Sequence, residues 1–159
     1  RLWINWSLIG NNLLKIQKKI IYAIEAVIDI ALNSGPGPVQ NEAIAKRQGI
    51  PKRYLEQTLQ ILVKKKILVG SRGPRGGYSL AKERRKIMIS DIIQSVYKDD
   101  NVSTNFNSYL SQKIILPLIN EVTNKCLEKF LKISIEEICK IAKNKRVQKN
   151  ISQKVDFDI

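Results

Sequence analysis

The fold of this chain is decided by residues 41–80, which read NEAIAKRQGIPKRYLEQTLQILVKKKILVGSRGPRGGYSL. The helical spacing of the first apolar residues predicts a short helix over residues 41–48. Gly49 follows, where a residue in the left-handed conformation would close that helix. Because Pro51 is acceptable in a first helical turn, a second helix is predicted from there to about Lys66. Two helices joined by so tight a turn are typical of a helix-turn-helix.

The second of these helices has two different faces. Leu55, Leu59 and Leu62 fall on one side and predict its buried surface. Long polar side chains form a stripe on the opposite side, with Glu56 beside it: Arg53, Gln57, Gln60 and Lys64. Because a helix fits the major groove and such side chains can hydrogen-bond base edges, the stripe predicts contact with double-stranded DNA. A solvated surface helix is the alternative interpretation.

Two short alternating runs follow at residues 67–71 and 78–80. They are joined by Arg72-Gly73-Pro74-Arg75-Gly76-Gly77. This pattern predicts a β-hairpin with a glycine-rich, arginine-bearing tip. A helix-turn-helix followed at once by a hairpin is a winged helix-turn-helix. The predicted fold class is therefore mostly α-helical with a small β-hairpin wing.

The charge of the chain favours a polyanionic partner. Lys and Arg number 28 against 14 for Asp and Glu, and His is absent. Thirteen basic residues against two acidic ones lie between residues 45 and 86, so most of the excess falls on the predicted DNA-binding unit. The lack of His excludes His-based catalytic triads and His-ligated zinc sites, and no carboxylate pair lies in a predicted pocket. We expect no enzyme activity.

The remaining composition indicates a cytoplasmic protein. Two Cys without a close spacing suit a reduced compartment better than a disulfide framework. No stretch approaches the roughly 20 apolar residues of a membrane span, so no membrane partner is expected.

The flanks of the helix-turn-helix have their own patterns. An amphipathic helix is predicted over residues 20–31, and Ser90 is predicted to cap a helix through Val96 with Asp91 in its first turn. The predicted division of the chain is a poorly defined extension at 1–13, the winged helix-turn-helix at 14–97, a loop at 98–107, dimerisation helices at 108–142, the last of them over 134–142, and a flexible tail at 143–159.

A long helix over about residues 108–132 predicts a homodimer. Its apolar residues lie on one side: Ile115, Leu118, Ile119, Val122, Cys126 and Phe130. They extend over more length than the small N-terminal core can cover, so they need a second copy of the same helix. Pro117 either kinks this helix or marks its effective start.

Five blocks of this sequence carry a family resemblance: Tyr22-Ala23-Ile24-Glu25-Ala26, Gly37-Pro38-Val39, Ile44-Ala45-Lys46-Arg47-Gln48-Gly49-Ile50, Tyr54-Leu55-Glu56-Gln57, and Arg72 through Leu80. They resemble the Rrf-two family of bacterial winged-helix transcription regulators, most closely its iron–sulfur cluster regulator branch. The resemblance implies that the Tyr-Leu-Glu-Gln helix enters the major groove and the Arg-Gly-Pro wing enters the minor groove.

The resemblance assigns Tyr54, Glu56, Gln57 and Arg72 to DNA. Together with the residue patterns, it gives these predicted DNA-binding side chains: Lys52, Arg53, Tyr54, Glu56, Gln57, Gln60, Arg72 and Arg75. Pro51 stands where the family commonly has a Ser that contacts DNA, so the preferred DNA sequence is expected to differ.

The chain departs from the family at the sensing site. Iron–sulfur members carry three Cys and a His in the loop after the helix that matches residues 90–96, whereas residues 97–120 contain neither. We therefore expect no iron–sulfur cluster and no other cofactor or metal. Cys126 and Cys139 fall at core-facing helical positions and are predicted to be buried thiols, with a thiol-sensing role as the alternative.

The sequence thus predicts a homodimeric, sequence-specific transcription regulator that controls iron–sulfur or cysteine metabolism genes. The alternative is a clusterless, thiol- or partner-responsive regulator that acts mainly through protein interaction. For that case the resemblance implies a cysteine-biosynthesis enzyme as partner. A pure interaction surface should carry apolar anchors rather than Arg, Gln and Lys, which favours DNA.

Overall fold

The computed structural model of the chain describes residues 17–97 and 107–155. The predicted extension at 1–13 and nearly all of the predicted loop at 98–107 lie outside the described residues. Within the described part the elements are, in chain order, α1 (Lys18–Asn33), α2 (Asn41–Gln48), α3 (Lys52–Lys64), β1 (Leu68–Ser71), β2 (Gly77–Leu80), a 3₁₀ turn (Arg84–Lys86), α4 (Ile89–Val96), a π-helical segment (Ser111–Ile115), α5 (Leu116–Phe130) and α6 (Ile135–Val155).

The helix-turn-helix forms as predicted. Gly49 adopts the left-handed conformation with φ 65° and donates its N–H to the Ala45 carbonyl, which ends α2. Ile50 is buried in the turn, and α3 begins one residue after Pro51. The position of the turn was therefore set by one glycine and one proline, because each is suited to a different helix end.

α3 ends at Lys64, two residues earlier than predicted. Lys66 adopts a left-handed conformation with φ 59° and donates its N–H to the Val63 carbonyl, while Ile67 donates to the Leu62 carbonyl. These two hydrogen bonds are those of a Schellman motif, which reverses the chain and starts the hairpin.

One apolar core lies beneath the helix-turn-helix. α1 contributes Ala23, Val27 and Ile30, which are buried, and the predicted inner face of α3 is fully buried at Leu55, Leu59 and Leu62. Ile24 and Ile28 of the predicted α1 stripe are only half-buried. α4 closes the core with Ile89, Ile92 and Val96, so α2 and α3 are held against a rigid base.

The wing is a two-stranded antiparallel hairpin that pairs Leu68 with Leu80 and Ser71 with Gly77. The loop before α2 adds a third segment, because Val39 and Tyr78 exchange both backbone hydrogen bonds at 2.9 and 2.8 Å. A Cβ at Gly77 would lie 2.4 Å from the Val39 carbonyl oxygen, so this close approach requires glycine.

The start of α4 differs from the prediction. The N-cap is Met88, whose N–H is accepted by the Asp91 carboxylate at 2.9 Å, and Ser90 is a buried residue inside the helix. The prediction that Ser90 caps this helix is therefore wrong, whereas Asp91 does lie in the first turn. Asp91 is the third residue of the helix, and its carboxylate accepts the N–H of the N-cap residue, which is the acidic half of a capping box.

α6 returns to the core and is longer than predicted. Ile89 donates its N–H to the Ile133 carbonyl, and Ile135 donates to the Ile87 carbonyl, so the two chain segments pair as an isolated β-bridge. Ile135 and Cys139 are buried in the same core as α1. The prediction that the last helix ends at 142 is wrong, since α6 continues to Val155. The flexibility of residues 143–159 stays a prediction, and residues 156–159 lie outside the described part of the chain.

α5 leaves its apolar side uncovered in the single chain. Leu118, Ile119 and Val122 are between half and three-fifths exposed. Pro117 is the second residue of α5, directly after the π-helical segment, whose wider turn accommodates a ring that cannot donate a hydrogen bond. Cys126 is exposed on this helix, so the prediction of a core-facing Cys126 is wrong, while Cys139 is buried as predicted.

Candidate nucleic-acid interface

The predicted stripe lies on the outer surface of α3. Arg53, Gln57, Gln60 and Lys64 are all exposed. The side of the helix that faces the core is fully buried at Leu55, Thr58, Leu59 and Leu62. Since the stripe points away from the core along the whole of α3, its donors and acceptors are free to approach a partner.

Two acidic residues tie the start of α3 to α2. Lys52 Nζ lies 2.6 Å from Glu42 Oε1, and this hydrogen bond lowers the pKa of Glu42 and raises the pKa of Lys52. Glu56 Oε1 accepts from Asn41 Nδ2 at 3.2 Å. Both Lys52 and Glu56 therefore flank the stripe on the α2 side.

Tyr54 flanks the stripe on the side of α1. Its ring packs edge-on against Tyr22, with centroids 6.0 Å apart and an interplanar angle of 78°. The Tyr54 side chain is still 49% exposed. This contact holds the ring beside the stripe, because an edge-to-face pair fixes the orientation of both rings.

The wing places its arginines next to α3. Arg72 and Arg75 are exposed at the hairpin tip, and Gln40 Nε2 donates to the Pro74 carbonyl at 3.4 Å. Gln60 of α3 and Arg72 of the wing both line a cleft of about 640 Å³. All eight predicted DNA-binding residues are exposed, six of them on α3 and two at the tip of the wing.

Sequence reasoning missed Asp29, a buried residue of α1 that holds this face in position. Arg47 Nη2 donates to Asp29 Oδ1 at 2.7 Å and Arg47 Nε donates to Oδ2 at 2.9 Å, while Gln48 Nε2 donates to Oδ2 at 2.6 Å. The hydrogen bond to Asp29 raises the pKa of Arg47. The available signal was a carboxylate inside the apolar stripe of α1, between Ile28 and Ile30.

The sequence and the fold were compared with known proteins. A family model described as "Rrf2: Iron-dependent Transcriptional regulator" matches residues 16–141, which is most of the chain. The chain belongs to the Rrf2 family. This result confirms the resemblance to the Rrf-two family that the sequence motifs carried.

Curated relatives include Rrf2 regulators of enteric bacteria. The HTH-type transcriptional regulator IscR of Cronobacter sakazakii is 41% identical over 83 residues, which are 52% of this chain and 51% of that protein. IscR of Escherichia coli matches with the same identity and coverage. The chain therefore spans about half the length of the curated relatives that it matches.

Solved structures confirm the winged-helix fold. T. potens IscR superimposes with a TM-score of 0.69 at 32% identity, covering 81% of this chain and 88% of that one. CymR, described as the global cysteine regulator of B. subtilis, superimposes with a TM-score of 0.63 at 25% identity, covering 80% and 98%.

The Rrf2 description refers to iron, but the donors in this chain do not fit an iron–sulfur cluster. The 159 residues contain no His and two Cys. Cys126 is exposed on α5, whereas Cys139 is buried in the core, where desolvation raises the pKa of its thiol. Among the described residues, no three His, Cys, Asp or Glu side chains come together as a metal site. Two separated thiols cannot supply the full ligand set that a cluster takes.

Within residues 17–97 and 107–155, no helix is both long and apolar enough to cross a bilayer.

Proposed function

We propose that this Rrf2 protein is a sequence-specific transcription regulator that binds double-stranded DNA through α3 and the wing. The observation that carries the proposal is the stripe on α3, which lies opposite a fully buried apolar face and next to the arginine tip of the wing. Arg53, Gln57 and Gln60 would read base edges in the major groove. Arg72 would enter the neighbouring minor groove, where a narrow groove attracts Arg.

A homodimer is the second part of the proposal. The exposed apolar side of α5 supports it, since no described element covers Leu118, Ile119 or Val122, although Phe130 at the end of α5 packs against the core. Two copies related by a two-fold axis would present two α3 helices to successive major grooves. Such a dimer reads a pseudo-palindromic site.

We further propose that the regulated genes belong to iron–sulfur or cysteine metabolism, and that the protein works in the cytoplasm without an iron–sulfur cluster. The IscR and CymR similarities support the gene class, and the donor set supports the absence of a cluster. The stripe carries no apolar anchor residues, which favours DNA over a protein partner as its ligand. We propose no catalytic activity. A cysteine-biosynthesis enzyme stays a predicted additional partner.

The salt dependence of DNA binding tests this function. A preferred duplex is first selected from a pool with a randomised core, and its affinity is then measured by fluorescence anisotropy at several salt concentrations. If two protomers neutralise on the order of 6 to 10 phosphates, affinity falls roughly a thousandfold or more between about 50 and 200 mM salt. A flat salt titration, or failure to select any sequence, would contradict the proposal.

A further inference from the structure

A pocket of about 330 Å³ lies at the base of the wing and is lined by four lysines: Lys65, Lys66, Lys82 and Lys86. We call it the lysine pocket. Ile67 and Ile87 supply a buried apolar part of its lining. Asp91, Gln94 and Ser95 of α4 complete the wall.

The lysine pocket is separate from the proposed groove-reading face. Leu68 pairs with Leu80 at the base of the hairpin, next to the pocket, and Ser71 pairs with Gly77 close to the tip. The pocket and the arginine tip are therefore at opposite ends of the wing. This second cluster of positive charge is therefore distinct from the stripe on α3 and from the arginines at the tip of the wing.

The positive charge of the pocket is poorly compensated. Across residues 17–97 and 107–155, no ion pair involves Lys65, Lys66 or Lys82. Lys86 Nζ lies 3.2 Å from Glu83 Oε1 on the exposed surface. The Asp91 carboxylate accepts the Met88 N–H at the start of α4. Several like charges around one concave surface attract an anion from solution.

Lys66 adds an independent observation. It occupies the left-handed position of the Schellman motif at the end of α3, with φ 59°. Glycine is the usual residue there, because a Cβ disfavours this conformation. Lys66 therefore contributes a charged side chain to the lining of the pocket, although its left-handed backbone conformation is unfavourable for a residue that has a Cβ.

We propose that the lysine pocket binds a phosphate-bearing anion. Lysine ammonium groups are donors without acceptors, and four lysines that line one small cavity suit a compact ligand with several negative charges. Two sources of phosphate fit this pocket. One is the phosphate backbone of DNA beyond the base pairs that α3 reads, and the other is a free oligophosphate. Binding of a free oligophosphate does not rest on the proposed DNA-binding function and can be tested without DNA, whereas binding of DNA-backbone phosphates does rest on it.

Calorimetric titration of the full chain with sodium tripolyphosphate tests the pocket directly. We expect one saturable site per chain, and affinity about tenfold weaker in the double variant Lys66→Gly with Lys82→Gln, since two exposed charge contacts are lost. The matched control is Lys143→Gln with Lys145→Gln, which removes the same charge from exposed positions of α6. Lys66→Gly alone also relieves the left-handed backbone, so its thermal unfolding temperature should not fall.

A second measurement distinguishes the two phosphate sources. The same variants are titrated with two duplexes that share one selected core, the second extended by about one helical turn on each side. Weakening of tripolyphosphate binding identifies a free anion site, and weakening confined to the longer duplex identifies backbone phosphates. The proposal is overturned if the pocket variant matches the α6 control in both measurements. DNA binding that fails altogether contradicts the proposed function and leaves the tripolyphosphate result to decide the pocket.

Discussion

Arg47 shows how one side chain near the recognition helix can serve structure instead of DNA. It lies at the end of α2 among other basic residues, yet two of its nitrogens donate to the buried Asp29 carboxylate. The pair joins α1 to α2, and Gln48 adds a third hydrogen bond to the same carboxylate. The orientation of the helix-turn-helix on its core therefore depends on a charge that is buried beneath it.

Asp29→Asn should destabilise the fold by about 1 to 3 kcal/mol, because it leaves a buried site with fewer acceptors for Arg47 and Gln48. Because the Arg47 side chain is partly exposed and can hydrogen-bond to water instead, we expect a loss of stability in the lower part of this range. Urea unfolding measures the change. Glu42→Gln, which breaks an exposed pair with Lys52, is the control and should have no measurable effect. Equal effects of the two substitutions would contradict the proposed role of Asp29.

Gln57→Ala and Arg72→Ala should have different effects on DNA binding. Loss of Gln57 should cost about 1 to 3 kcal/mol on the preferred sequence and little on random DNA, because it removes contacts to a base edge. Loss of Arg72 should weaken binding most where A·T steps narrow the minor groove. Competition anisotropy with both kinds of duplex measures these effects, with Arg146→Ala on α6 as a control for lost charge. If both variants weaken binding to all DNA sequences equally, the result would argue against the proposed placement of α3 in the major groove and of Arg72 in the minor groove.

At the level of elements, local signals predicted α2, α3 and the wing, since Gly49 and Pro51 act within one turn of the chain. The end of α6 could not be predicted in this way. Its second half is mostly Lys, Arg, Gln, Asn and Ser, with three apolar residues, Val147, Ile151 and Val155, and this composition is also that of a tail. Asp29 was missed for a related reason, because the partners that make a buried carboxylate acceptable lie on another helix.

Cys126 was placed in the core because an apolar stripe does not show whether its own chain or a second chain covers it.

The start of α6 offers an element-scale test. Ser134 and Glu137 form a capping box: the Ser134 N–H donates to Glu137 Oε2 at 2.7 Å, and the Glu137 N–H donates to Ser134 Oγ at 3.3 Å. Ser134→Ala should cost about 1 kcal/mol of stability. Thr123→Ala on exposed α5 is the control, since its hydroxyl bonds only within its own helix. A loss no larger than that of the control would rule out a capping role.

The same capping box has a pH dependence. Hydrogen bonds from the backbone and hydroxyl of Ser134 lower the pKa of Glu137 below its ordinary value. Since the folded state favours the charged form, this stabilisation is present above the ordinary pKa range and is lost as pH falls through the lowered pKa. Glu137→Gln should therefore flatten the acid side of the stability curve, measured by urea unfolding across that range. An unchanged acid limb would contradict this.

At the scale of the whole molecule, the paired substitution Ile119→Asp with Val122→Asp should convert a dimer into a folded monomer. Both side chains are about half exposed in the single chain, so the charges should not disturb the core. Sedimentation at micromolar concentration measures the oligomeric state, and circular dichroism checks that the helices persist. Asn120→Asp with Asn124→Asp, on the other side of α5, should leave the dimer intact. A wild-type monomer, or a dimer that survives the first pair, would contradict the proposal.

The pairing of Val39 with Tyr78 makes the wing part of a larger cooperative unit. Because each residue's amide hydrogen is bonded to the other's carbonyl, neither amide can exchange with deuterated water unless the loop before α2 separates from β2. Their protection factors, which are the exchange rates corrected for the intrinsic rate of each amide, should therefore be similar and high, whereas exposed amides at the hairpin tip should exchange quickly. The two amides thus report directly on how often the wing detaches from the helix-turn-helix that it accompanies.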